Sequence, residues 1–367
     1  MRRLIDKLPA LFLASSAVCM GLTGCEGEEY ADDPRGNFEA LWEIVDTRYC
    51  FFEEKGIDWE AVGKKYRSRV KPDMSDMALF SLCSEMLSEL RDGHVNLVSS
   101  FDTYYYRAWW TDYPQDFNLR TLQQYYLGFD YGQTSGISYK MMPDSIGYMY
   151  YPSFSSGIGN LNLDYILAIL YKSKGLVLDV RNNGGGLLTN VETLVSRFTD
   201  TPVSGGYITH KTGPGHDDFS EPFSFTYSPA DARRVSWNGT PVVVLTNRSC
   251  FSAANDFVAV MKSLPGVAVM GARTGGGGGL PFSSELPNGW AVRLSASPIS
   301  GPGGEFIEFG VDPTPGCEVT SSDIQLARGT DHILDTALSL LERLAANKEE
   351  RDLFMRDKEE YFRVYGL

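Results

Sequence analysis

The sequence predicts an α/β fold, a layered strand–helix core with a small helical unit at its N-terminal end. Three observations lead there. Apolar residues in "FEALWEIVDTRY" and "MALFSLCSEMLSEL" recur three and four apart, which is helical spacing. From residue 146 onward, short apolar strands alternate with helical stretches. Two of those strands, "GLVLDV" and "PVVVLTN", are nearly unbroken apolar runs, as in a sheet covered on both faces.

The N-terminal segment reads as an address. "MRRLIDK" is basic, and "LPALFLASSAVCMGL" is apolar but too short for an ordinary membrane span, so residues 1–24 fit a signal peptide. The run ends in "LTGC", which resembles a bacterial lipobox with Cys25 as the acylated residue. A plain secretory signal with a chance cysteine is the alternative. Residues 25–37, with "EGEEYADDPRGN", form a polar acidic tether. An acidic run at this place resembles the surface-export signals of some Gram-negative lipoproteins. The expectation is an exported bacterial lipoprotein, held to the outer membrane by its lipid, on the periplasmic face or at the cell surface.

Residues 38–97 form the helical unit, which ends in the turn and strand of "RDGHVNLVSS". Residues 98–145 are an aromatic-rich connection that begins with "DTYYYRAWWTDY". Such a cluster lines a groove or packs beneath a loop. Residues 146–345 hold the core, in the order "IGYMYYPSF" strand, "LDYILAILYK" helix, "GLVLDV" strand, "LLTNVETLVSRF" helix, "PVVVLTN" strand, "SAANDFVAVMK" helix and "GVAVMG" strand. "FSSELPNGWAVRLSAS" reads as a hairpin turning at Asn288-Gly289. "DHILDTALSLLERLAANKEERDLF" reads as one long amphipathic helix, with residues 346–367 as a C-terminal tail.

At 367 residues the chain is long enough for a sizeable core. Its net charge of -14 excludes a nucleic-acid surface, which needs clustered Lys and Arg, and electrostatic docking to anionic lipid. Cys50, Cys83, Cys250 and Cys317 remain once the leader and Cys25 are set aside. They allow two disulfides, with Cys50–Cys83 one plausible pair, or four buried thiols. No CxxC spacing points to zinc, and no metal is expected.

The chemistry centres on "RSCFSAANDF", residues 248–257, where a strand gives way to a helix at Ser252. A serine there is either an N-cap or a nucleophile presented on a tight turn at the positive end of a helix dipole. A nucleophile needs a base, and the chain has four histidines. His332 opens the last helix, His210 and His216 flank "KTGPG", and His94 lies in the polar turn "DGHV". In "LDVRNNGGGLL" a buried strand runs into three glycines at a helix start, which suits backbone N–H groups turned toward an anion. It is no phosphate loop, lacking the lysine, and Arg181 spoils a calcium loop.

Together these stretches resemble the C-terminal processing peptidase family, which includes the tail-specific proteases and the tricorn core protease. "DVRNNGGG", "PVVVLTN" with "SAAN", "DGHV" and "FIEFGVDPTP" occur in the family order between residues 38 and 341. The resemblance implies a crotonase/ClpP-like layered core and a serine peptidase acting on peptides or proteins, with no metal or organic cofactor. It puts the nucleophile at Ser252, the base at His94 and its orienting acid at Glu308, with Asp92, Glu305 and Asp312 as alternatives. The oxyanion donors would be the N–H groups of Gly186 and Ala253. Three departures stand out. The lysine of the tail-specific branch would fall at Gly277, the second serine of the tricorn branch falls at Gly93, and about 50 residues stand where a PDZ domain would be. A non-catalytic ligand- or peptide-binding surface lipoprotein on the same fold is the alternative reading. An acyl-CoA enzyme of crotonase type is a third, and it sits poorly with export.

Overall fold

The computed structural model describes residues 30–237 and 239–367; the leader and Cys25 lie outside the described residues. Three helices come first, α1 (Pro34–Arg48), α2 (Trp59–Arg67) and α3 (Asp76–Ser88), capped by the side chains of Asp33, Asp58 and Ser75. β1 (Asn96–Val98) closes the helical unit, and β2 (Thr103–Tyr105), α4 (Ala108–Thr111), α5 (Leu119–Thr121), β3 (Gly132–Thr134) and β4 (Ile137–Met141) lie in the aromatic-rich connection. The core runs β5 (Ile146–Tyr150), α6 (Asn160–Leu170), β6 (Gly175–Asp179), α7 (Leu188–Val195), β7 (Val203–Ile208), β8 (Phe223–Tyr227), β9 (Val242–Thr246), α8 (Ala253–Ser263) and β10 (Val267–Gly271). The hairpin β11 (Gly279–Glu285) and β12 (Ala291–Ser300) follows, then α9 (Asp323–Ala327), α10 (His332–Ala346), α11 (Lys348–Arg356) and α12 (Lys358–Tyr365).

One sheet has the order β10-β9-β6-β5-β4-β3, with the first four strands parallel. Its side chains alternate between two cores, as a pleat with period two requires. Leu176, Leu178 and Val244 pack with α6, α7 and α8, whereas Val177, Val243 and Leu245 pack with α10, α11 and α12. Both faces are therefore covered, which explains the unbroken apolar runs. Parallel strands also end on one edge, so the segments that leave β6 after Asp179 and β9 after Thr246 emerge side by side.

The other sheet is antiparallel, in the order β2-β1-β12-β7-β8 with β11 also on β12. The N-terminal helices close over it, burying Phe38, Leu41, Leu79 and Leu87 against Leu286, Trp290, Val292 and Leu294. The hairpin turns where the sequence places it, with Gly289 at φ +78°.

Two expectations are corrected. The long terminal helix breaks at Asn347, which ends α10 and whose side chain accepts from Glu349 and Glu350 N–H to start α11. Residues 346–367 are not a tail: α11 and α12 bury Phe354, Tyr361 and Phe362 in the core. The four cysteines are buried free thiols, Cys50 and Cys83 included.

Candidate active site

Ser252 sits at the strand-to-helix turn with φ +57° and ψ -124°, a strained conformation for a residue with a Cβ. Two backbone bonds hold the turn: Phe251 N–H to Asn183 O at 3.0 Å and Ser252 N–H to Gly276 O at 2.8 Å. Ser252 occupies the N-cap position of α8, yet its side chain makes no capping bond. Its Oγ instead lies 2.9 Å from His94 Nε2.

His94 is fixed by its own turn, in which Asp92 Oδ1 accepts its backbone N–H at 2.7 Å. The imidazole is almost fully buried, and its Nδ1 faces Ser295 Oγ at 3.5 Å. Ser295 also helps to hold down the pKa of the Asp92 carboxyl, which Tyr49 OH reaches at 3.0 Å. This arrangement assigns the tautomer with the proton on Nδ1 and leaves Nε2 to accept from Ser252. Burial pushes the His94 pKa down to about 4, with Arg293 and Lys55 adding to the effect and Asp92 opposing it. The imidazole is thus neutral at pH 7 and able to take a proton. Burial pushes Asp92 up, but Lys55, His94 and the hydrogen bonds outweigh it and hold the carboxyl below its usual range.

Glu308 does not meet His94. Its carboxylate binds Lys55 Nζ at 2.7 Å and accepts the Gly278 N–H at 2.8 Å. Lys55 in turn binds Asp92 at 3.2 Å. The orienting role drawn for Glu308 is therefore corrected: Ser295 faces the imidazole, Asp92 holds the His94 backbone, and Glu308 lies beyond Asp92 across the ammonium. Glu305 binds the N–H of nearby Gly303 and Asp312 pairs with Arg273, so neither alternative acid serves His94. The other histidines are committed elsewhere or lie apart: His210 meets Ser297, His216 meets Asp46, and His332 opens α10.

The glycine loop works as a scaffold. Arg181 is fully buried between Asp179 and Asp331. Asn183 Oδ1 accepts from Phe154 and Gly185 N–H. The Gly186 and Ala253 N–H groups have no acceptor among the described residues. Both residues line, with Ser252, a cavity of about 90 Å³. Gly186 has φ +144°, and a Cβ there would fall 2.2 Å from the Phe154 carbonyl carbon, so only glycine allows this approach.

The departures at Gly93 and Gly277 share one cause. Trp109, from the aromatic-rich connection, stacks on Phe251 with ring centroids 4.2 Å apart. A Cβ on Gly93 would lie 2.6 Å from Trp109 and 2.7 Å from Phe251, and one on Gly277 would lie 2.6 Å from Phe251. The stacked rings fill the space that a second serine or a lysine would need. Sequence reasoning missed Lys55, Tyr49 and Ser295. Lys55 lies in an ordinary charged stretch, "FFEEKG"; a serine inside the apolar strand "AVRLSAS" was the one available hint.

A neutral buried imidazole on the turn serine, at the edge of a parallel sheet and beside two unclaimed N–H groups, is an arrangement suited to nucleophilic attack by the serine. The comparisons place the chain more closely. The model for peptidase family S41 matches residues 145–315, and that of the tricorn protease C1 domain matches residues 30–88. A crystal structure from Parabacteroides merdae is 48% identical, with TM-score 0.80, and covers 85% of this chain and 97% of its own. The carboxy-terminal processing protease CtpA of Bacillus subtilis is 28% identical over 47% of this chain. That match spans 35% of CtpA, about a third of its length. Mature CPAF in complex with lactacystin shares the fold at 14% identity, with TM-score 0.64 over 86% of this chain and 98% of its own. The chain belongs to peptidase family S41.

Proposed function

We propose that the protein is a serine endopeptidase or carboxyl-terminal processing protease that cleaves peptides or proteins with Ser252 as nucleophile and His94 as base. The observation that carries this reading is the 2.9 Å contact between Ser252 Oγ and an imidazole kept neutral by burial. Ser252 Oγ attacks the scissile carbonyl carbon while its proton passes to His94 Nε2. Ser295 holds the Nδ1 face, and the negative charge of Asp92 favours the imidazolium. The Gly186 and Ala253 N–H groups receive the oxyanion; loss of one such donor typically costs roughly 100- to 1000-fold in rate. His94 then protonates the leaving amine, and water releases the acyl group by the same route. In the same reading the leader and Cys25 deliver the protein, lipid-anchored, to the outer membrane.

A fluorophosphonate probe tests the chemistry, because only a serine with a working base is trapped. We expect labelling at Ser252, and loss of labelling and peptide cleavage in Ser252→Ala with an unchanged circular dichroism spectrum. An unlabelled wild type would favour the non-catalytic binding protein, and turnover by Ser252→Ala would refute the nucleophile. Incorporation of labelled palmitate, abolished by Cys25→Ser, tests the anchor.

A further inference from the structure

The cavity beside Ser252 holds a group that the reaction above does not use. Asp256 lies one turn along α8 from Ser252, and its N–H bonds Ser252 O at 3.1 Å. Asp256 is among the residues that line the cavity yet is only 2% exposed. Tyr227 OH donates to Oδ2 at 2.9 Å, whereas Oδ1 has no hydrogen-bond partner among the described residues. Leu188, Leu280, Ile299 and Ile307 give the wall its apolar part, and Arg293 is its one cation. A buried carboxyl oxygen without a partner is uncommon and calls for an explanation.

The cavity is lined by Ser252 and both N–H donors but not by His94. Because His94 serves the leaving group, the cavity lies on the acyl side of the bond to be cut. We propose, resting on the peptidase reading, that it receives the side chain preceding the scissile bond and that Asp256 selects a short neutral residue with a hydroxyl or amide donor: Thr, Ser or Asn.

Size, charge and hydrogen bonding all bear on this choice. About 90 Å³ admits a few heavy atoms, whereas a cavity of about 150 Å³ is what accommodates a benzene ring. A lysine would share the cavity with Arg293, which has no carboxylate partner among the described residues. A valine would leave Oδ1 unsatisfied, and a site built to bond a hydroxyl discriminates against the isostere that lacks it. Burial raises the Asp256 pKa to about 7, with the Tyr227 bond opposing, which weakens the demand for a cation relative to an ordinary carboxylate.

Matched p-nitrophenyl esters of N-acylated threonine, valine and lysine test the subsite, since Thr and Val differ chiefly in the hydroxyl. The wild type is expected to prefer the Thr ester over the Val ester roughly tenfold in kcat/KM. Asp256→Ala should bring that ratio to near one, and Asp256→Asn, which keeps an acceptor, should retain the preference. A wild-type ratio near one, a dominant Lys ester, or an unchanged ratio in Asp256→Ala would overturn the proposal. Should Asp256→Ala fail to fold, the wild-type ratio decides alone. Fluorophosphonate labelling without Thr/Val discrimination sinks the subsite and spares the peptidase reading; absence of labelling sinks both.

Discussion

Lys55 Nζ lies 2.7 Å from Glu308 Oε1, and both side chains are almost completely buried. The same ammonium reaches Asp92, so one cation holds two carboxyl groups in the low-dielectric floor of the site. Burial and then Asp92 push Glu308 up to about 7, against the pull of Lys55. Removing the cation strands both acids. Lys55→Met is expected to cost about 3–5 kcal/mol, read as a lower denaturant midpoint. An unchanged midpoint would show that the three groups are not coupled.

The contacts rank the groups behind the imidazole. Ser295 faces Nδ1 and Asp92 holds the His94 backbone N–H, whereas Glu308 reaches Asp92 through Lys55. Ser295→Ala and Asp92→Asn are expected to lower kcat roughly 100-fold, within the usual range for proton-transfer catalysis. Glu308→Gln should lower it by less than about tenfold. Ester hydrolysis under saturating substrate measures all three. If Glu308→Gln proves the most damaging, the relay is misassigned.

The pH dependence follows from the depressed His94 pKa. The base works when deprotonated, so kcat/KM should hold as pH falls from 7 and drop only near pH 4. An unperturbed histidine would place that limb near about 6.5. Asp92 raises the His94 pKa, so Asp92→Asn should move the limb lower still. A profile between pH 3 and 8 checks both the position and the direction.

The turn at Ser252 stores backbone strain. A residue at φ +57° and ψ -124° costs about 1–3 kcal/mol relative to one free to adopt that conformation. Ser252→Gly is therefore expected to abolish activity and raise the unfolding midpoint. A lowered midpoint would mean that the contact with His94 outweighs the strain.

Much of this was legible in the sequence for identifiable reasons. Covered parallel strands write themselves as continuous apolar runs, and the strand-to-helix switch singled out Ser252. His94 was readable as a histidine in a polar turn. The remaining groups were not, because contacts among Lys55, Asp92 and Glu308 arise from packing between layers and leave no local period. Ser295 was hidden by a register shift: β12 pairs Ser297 with Leu280 but Ser295 with Pro281, so burial departs from simple alternation there. The terminal helix was drawn too long because Asn347 caps by geometry, while the polar run "NKEE" reads as one more exposed turn.

The imidazole and the alcohol belong to different layers, and the hydroxyl that steadies the ring comes from a third stretch, the hairpin. Biosynthesis delivers them in that order, residue 94 first, 252 much later and 295 last. A truncated or half-threaded product carries the base without its nucleophile, or both without the relay. In the proposed reading the site is whole only when the hairpin is in place, so unfinished chains would be weaker catalysts than the complete protein.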